Sequence, residues 1–241
     1  MRRWTSSSAL LQKSNQDALL MITPHLSHTR RLRLHKLSTP LHSDGVREIL
    51  SSEAPALEYL ELTAVSRSPI VFRDLGENML FKWHAPKLRA LLLSQVVIPW
   101  SHIPRGQLTQ LKTICPDEDV HSPGDLNQLI DLLHNCPALE ILALDFCLPS
   151  QLIELPHGRT IDLPHFSRLR LCGSTSRIVN TLKMLKLPSS TALHLDCFSK
   201  TTSIDNDSEA YSLSFQRTSK ALPLSSSKVS LSPSFAIRRV H

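Results

Sequence analysis

The chain has 241 residues, with 43 leucines, 16 prolines and only 6 glycines. So few glycines, and the lack of any G-x-G-x-x-G or G-x-x-x-x-G-K string, exclude collagen and argue against nucleotide-binding enzymes; 41% hydrophobic and 20% charged residues exclude global disorder. The net charge of +6 sits at the ends: residues 1–48 carry 8 basic and 3 acidic side chains, 199–241 carry 6 and 3, and 49–198 carry 13 and 15, so the body is not a basic nucleic-acid platform.

In chain order, a helical piece is expected near 10–22, then a strand in R-R-L-R-L ending at Leu34. Val46, Ile49 and Leu50 behind Asp44 have the spacing of a helix face. A strand follows in P-A-L-E-Y-L-E-L from Pro55, a short helical piece over 74–83, and strands in P-K-L-R-A-L-L-L from Pro86 and Q-L-T-Q-L-K-T-I from Gln107. Leu126, Leu129, Ile130 and Leu133 recur at i, i+3, i+4 and i+7, and Ser122-Pro123-Gly124-Asp125 reads as an N-cap serine, a proline at the first helical position and a capping box. The next strands lie in C-P-A-L-E-I-L-A-L from Cys136 and P-H-F-S-R-L-R-L from Pro164. A helix on Ile178, Val179, Leu182 and Leu185 follows the Ser174 to Ser176 cluster, and P-S-S-T-A-L-H-L from Pro188 carries the last strand. The period fails after Phe198, where residues 199–241 hold 12 serines and 4 leucines and read as a disordered tail with a single Ser-Pro pair at Ser232.

These strands share one template: an apolar residue, two variable residues, Leu, any residue, Leu. The first leucine of each pair falls at 32, 60, 91, 111, 142, 169 and 193, so the spacing runs from 20 to 31 residues. Period-two alternation marks a strand with one buried face, and neither strand nor return can bury its apolar side alone, so the units must stack. Three residues past the pair stand Leu37, Val65, Val96, Cys147, Ser174 and Phe198, expected at an inward-facing bend. Cys147 is thereby a small buried hydrophobe rather than a nucleophile. The five cysteines form no C-x-x-C pair, the pattern of reduced, intracellular usage, and a cytoplasmic or nuclear location is expected. No apolar run approaches the roughly 18 residues of a spanning helix, so no membrane partner is expected.

The string L-L-H-N-C-P-A-L-E-I-L-A-L-D-F-C, from Leu132 to Cys147, resembles the repeat of leucine-rich-repeat proteins, in the C-P-x-L-x-x-L-x-L-x-x-C variety of F-box proteins. The loose spacing and the phrase L-L-M-I-T-P-H-L-S-H-T-R-R-L-R-L from Leu19 resemble the fungal members of that group. The resemblance covers roughly residues 18–198 and implies an α/β leucine-rich-repeat solenoid of about seven repeats, a curved parallel sheet with helices or irregular returns on its convex side. It leaves residues 1–17 as an N-terminal segment, read as a truncated cap, and 199–241 as the tail. The family's F-box is a helical module usually placed ahead of the repeats. No L-P-x-E/D-L/I opening occurs here, so the expectation is a substrate-recognition half that meets an SCF ubiquitin-ligase core only with an F-box restored upstream.

In such an arc the residue inside each L-x-L points to the partner: Arg33, Glu61, Leu92, Lys112, Ala143, Arg170 and His194. A neighbouring column holds Tyr59, Ala90, Gln110, Ile141, Arg168 and Ala192. Mixed charge signs with apolar rungs suit a protein or peptide better than a polyphosphate. Arg33, Glu61 and Arg170 are the specificity candidates and Tyr59 and Leu92 the anchors, with acidic partner groups expected near both ends of the arc.

Catalytic, cofactor and metal sites are not expected. Cys115 with His121 and Cys136 with His134 are nominal nucleophile pairs without context, no H-E-x-x-H or zinc-finger spacing occurs, and Asp117-Glu118-Asp119 reads as a solvated loop. The expected function is a non-enzymatic protein-interaction module resembling the substrate-recognition part of an F-box protein. Its alternatives are a freestanding repeat scaffold or inhibitor and, less favoured, a nucleic-acid-associated protein using Arg2, Arg3, Arg30, Arg31 and Arg33 with the basic tail.

Overall fold

The seven leucines that open the L-x-L pairs stand side by side in one row. In a computed structural model, which describes residues 21–37, 43–65, 69–72, 80–115, 122–149 and 160–198, each lies opposite the next, from Leu32 through Leu60, Leu91, Leu111, Leu142 and Leu169 to Leu193. They sit on seven parallel strands: β1 (Arg31–Leu37), β2 (Tyr59–Ala64), β3 (Ala90–Ser94), β4 (Gln110–Ile114), β5 (Ile141–Asp145), β6 (Arg168–Ser174) and β7 (Ala192–Phe198). Spatial order equals chain order, so every connection is a return to the adjacent position. The fold is α/β with one seven-stranded parallel sheet. The segments 1–17 and 199–241, the Asp117 to Asp119 run and His121 lie outside the described residues.

A second inward row, two residues on, reads Leu34, Leu62, Leu93, Thr113, Leu144, Leu171 and Leu195. Both rows are buried except at Leu195, which packs against the core half-exposed on the last strand. Full burial of a leucine contributes about 1.5–3 kcal/mol, so the two rows are the main apolar asset of the sheet. Thr113 interrupts the second row. It is fully buried, and among the described residues its hydroxyl has no hydrogen-bond partner.

The inner face is closed by the returns. Helix α1 (Ser43–Leu50) buries Val46, Ile49 and Leu50, as their spacing predicts. Two returns carry 3-10 turns instead, Leu80–Trp83 and Trp100–His102, and a further 3-10 turn, which the sequence reading did not include, spans Thr23–His28. Of the helical piece expected over 74–83, the described part is that first turn, too short for an α-helix. Paired two-residue strands, Ile70–Val71 with Val96–Val97 and Ile161–Asp162 with Leu185–Lys186, tie neighbouring returns together.

Helix α2 (Leu126–His134) buries Leu126, Leu129, Ile130, Leu132 and Leu133. Its start differs from expectation. Asp125, not Ser122, is the N-cap: extended at φ −83 and ψ 175, it accepts a bond from the Gln128 backbone N–H at 2.8 Å. Ser122 lies outside the helix and donates to the Gly124 carbonyl at 2.6 Å, so Pro123 belongs to the entering turn. Carboxylates cap as well as hydroxyls and add a charge favoured by the helix dipole. Asp125→Ala is therefore expected to cost about 1 kcal/mol, with no comparable loss from Ser122→Ala; chemical denaturation of the two variants checks the assignment.

Helix α3 (Thr175–Lys183) stops before Leu185, which is buried instead on the short strand beside Ile161. Ile178 and Thr181 carry its buried face, with Met184 packed just past its end.

The inward bend also holds only in part. Lys36, Gln95 and Phe146 adopt positive φ between 57 and 59, which adds one residue to the turn and sends Leu37, Val96 and Cys147 into the core. β2 has no such residue, so alternation continues. Ala64 takes the inward place, paired with Leu37, and Val65 is 68% exposed. Ser174 is half-buried at the N-cap position of α3, and Phe198 is half-buried with its ring 5.7 Å from that of Phe146.

Candidate partner-binding face

Residues between the inward leucines emerge on the opposite face, in register. Arg33, Glu61, Leu92, Lys112, Ala143, Arg170 and His194 form one row, and Arg31, Tyr59, Ala90, Gln110, Ile141, Arg168 and Ala192 form the row beside it. Every residue singled out from the sequence lies in one of these rows. A third row, absent from the sequence reading, runs through Thr63, Ser94, Ile114, Asp145, Cys172 and Asp196 on β2 to β7.

The charged side chains form two clusters. On β1 and β2, Arg33 Nε lies 3.2 Å from Glu61 Oε2, the Tyr59 hydroxyl donates to the same oxygen at 2.7 Å, and the Arg33 guanidinium sits 5.0 Å from the Tyr59 ring centre. Burial raises the Tyr59 hydroxyl above its usual pKa, and the bond to Glu61 adds to the rise. Arg33 is more than half exposed, so its ion pair is worth well under 1 kcal/mol. Tyr59 is thus held by its neighbours rather than standing free as an anchor.

The second cluster lies on β5 to β7. Arg170 Nε donates to both oxygens of Asp145, at 3.0 and 3.1 Å, and its Nη2 donates to Asp196 Oδ2 at 3.4 Å. His194 Nε2 lies 3.0 Å from that same Asp196 oxygen. Asp145 is only 8% exposed. Burial raises its carboxyl pKa above the ordinary range, against the pull of Arg170. For Arg170 burial works downward, but the bond to Asp145 and the charges of both carboxylates hold the guanidinium above its usual value. Arg170 is thus a bridge between two carboxylates on the strands to either side.

Between the clusters apolar side chains surround Lys112 and Gln110. Leu92, Ser94, Lys112 and Ile114, with Glu61 and Thr63, line a depression of about 130 Å³. That is close to the scale, about 150 Å³, of a cavity that accepts a benzene ring. Ile114 is 39% exposed at its rim, and Ala143 and Ile141 continue the strip on β5.

Of the two nominal catalytic pairs only Cys136 with His134 is described, since His121, the partner of Cys115, lies outside the described residues. The Cys136 thiol is buried at the end of α2 and pushed up in pKa mainly by that burial, while His134 is exposed; Cys115 is buried in the core. Cys147 is fully buried, donates to the Thr113 carbonyl at 3.3 Å, and is raised well above the ordinary thiol range by burial. Thiols so placed are poor nucleophiles. Among the described residues no group of three or more His, Cys, Asp or Glu side chains could hold a metal ion, and no helix is long and apolar enough to cross a membrane.

No protein-family model, curated protein or solved structure matches this chain.

Proposed function

We propose that this chain is a non-enzymatic protein-interaction module of the leucine-rich-repeat solenoid kind, whose ladder face receives a protein partner. The observation that carries the reading is the shared register: seven strands present two aligned rows of side chains on one face, six of them add a third, and the opposite face is packed by the returns. Within the face, ion-paired clusters flank a centre of apolar side chains that carries a single cation, Lys112, close to the polar surround and apolar middle that protein interfaces favour. Its role is that of the substrate-recognition part of an F-box protein, holding a target while a separate enzyme ubiquitinates it. As a freestanding scaffold or inhibitor it would use the same face.

Affinity capture with the full chain tests this. A partner bound by the wild type should be lost with Leu92→Asp or Ala143→Arg on the ladder and retained with Lys87→Glu, an exposed site before β3. Partners insensitive to every ladder substitution would remove the reading. Co-purification separates the two roles: recovery of ubiquitin-ligase core subunits only with a longer transcript that carries an F-box supports the ligase, and ladder-dependent partners with no link to ubiquitin support the scaffold.

A further inference from the structure

We propose that the ladder face selects an acidic-apolar segment of its partner, an extended stretch that seats one apolar side chain in the depression beside Leu92 and Ile114 and offers carboxylates to Lys112 and Arg168. The inference rests on the reading of this face as a partner-binding surface and adds the partner's chemistry. Its basis is which charges remain after the face has paired with itself. All three carboxylates of the three rows are engaged: Glu61 by Arg33 and Tyr59, Asp145 by Arg170, Asp196 by Arg170 and His194. The cations outnumber them, and among the described residues Arg31, Lys112 and Arg168 have no ion-pair partner. The uncompensated charge of the face is therefore positive, and it rests on other residues than the specificity candidates of the sequence: on Arg31 of β1, Lys112 of β4 and Arg168 of β6. Arg33 and Arg170 are neutralised within the chain, and the cations left to pair with a partner's carboxylates around the depression are Lys112 on β4 and, two strands on, Arg168 on β6.

Position supplies the rest. Lys112 stands directly opposite Leu92 on the neighbouring strand and two residues before Ile114, so a carboxylate on Lys112 and an apolar group in the depression are adjacent demands. Arg168 faces Ile141 on the next strand but one, and strand spacing with the two-residue offset puts it roughly 12 Å from Lys112 at the backbone, about three to four residues of extended chain. The apolar side chains between them exclude water once covered, which strengthens each pair beyond the value of an exposed salt bridge. A nucleic acid meets the charge but not the apolar seat. The one Phe, Tyr or Trp ring in the rows, Tyr59, is covered by Arg33, and the His194 imidazole is tied to Asp196, so neither offers a free stacking platform.

Random short peptides displayed on phage and panned on the full chain test the specificity. Selected peptides should combine Asp or Glu with Leu, Ile or Phe, and should bind Lys112→Glu and Arg168→Glu at least about tenfold more weakly than wild type. Leu92→Asp should abolish binding. Lys112 is only half-buried and outside the inward rows, so its variant should keep the wild-type melting temperature and separates lost binding from lost folding. Enrichment of Lys- or Arg-rich peptides sensitive to Leu92→Asp would overturn the acidic preference and leave the partner-binding reading standing. Oligouridylate that binds as tightly as the best peptide and competes with it through Lys112 would show a general polyanion site and overturn the proposal. Failure to select any peptide sensitive to a ladder substitution would overturn the proposal and the reading beneath it.

Discussion

At pH 7, Arg170→Ala is expected to lower the stability of the chain by about 2–3 kcal/mol, seen as a lower urea midpoint at unchanged slope. The figure is taken below the 3–5 kcal/mol typical of a fully buried pair because Arg170 is one-third exposed. What the substitution leaves behind matters more than the contact it removes. Asp145, 8% exposed, loses the two bonds that offset its burial, and an uncompensated carboxylate remains against the sheet. The sign of the pH dependence follows. Asp145 already has a raised pKa in the folded chain, so its protonated form is the better folded one, and its contribution is present below the ordinary carboxyl pKa and lost as pH rises through the folded value. Removing Arg170 removes a lowering influence and raises that value further. The deficit of the variant relative to wild type should therefore shrink as pH falls from 7 toward 4, and Asp145→Asn should restore part of the loss in the double variant. A deficit that grows on acidification, or a double variant no better than the single one, would contradict this assignment.

Leu142→Ala should cost about 3 kcal/mol, the effect expected of an interior position in the inward rows. Leu142 is fully buried on β5, with Leu111 and Leu169 on the strands to either side, so the space its side chain leaves is walled by residues that cannot close on it. Leu193 occupies the same place on β7, the last strand of the sheet, and retains some exposure. Leu193→Ala should cost roughly half as much, because a terminal strand can relax into its cavity. Thermal unfolding of both variants decides the matter. Equal losses would mean that the last strand is walled as tightly as the middle one.

The strand positions were legible because they rest on a local rule. Alternation within a strand assigns each residue to one face, and the recurring L-x-L supplies the origin for counting, so aligning the leucines aligned Arg33 with Glu61 and Ala143 with Arg170. Val65 escaped because the outcome depended on a left-handed residue at or just past the end of the strand. At the three positions that have one it is Lys, Gln or Phe, with no glycine to announce it. Asp125 was named in the capping segment but given a lesser role than Ser122, since both residue types cap and only the path of the entering turn separates them. Asp145 and Asp196 were passed over because each looks like an ordinary polar residue of its own strand. They matter through Arg170, 25 and 26 residues away.

By itself the sequence determined the seven strands of the main sheet, the alignment of their leucines and two of the rows on the opposite face, because these follow from residue spacing and from the need to bury leucine. It also determined that the charge of the body is near balance. Only the tertiary structure decided how that balance is distributed. Side chains from different strands come within 3–4 Å of one another, and short-range pairing then neutralises Arg33 and Arg170 and leaves Lys112 and Arg168 unpaired among the described residues. Coulomb energy depends on distance in space, and composition has no access to it.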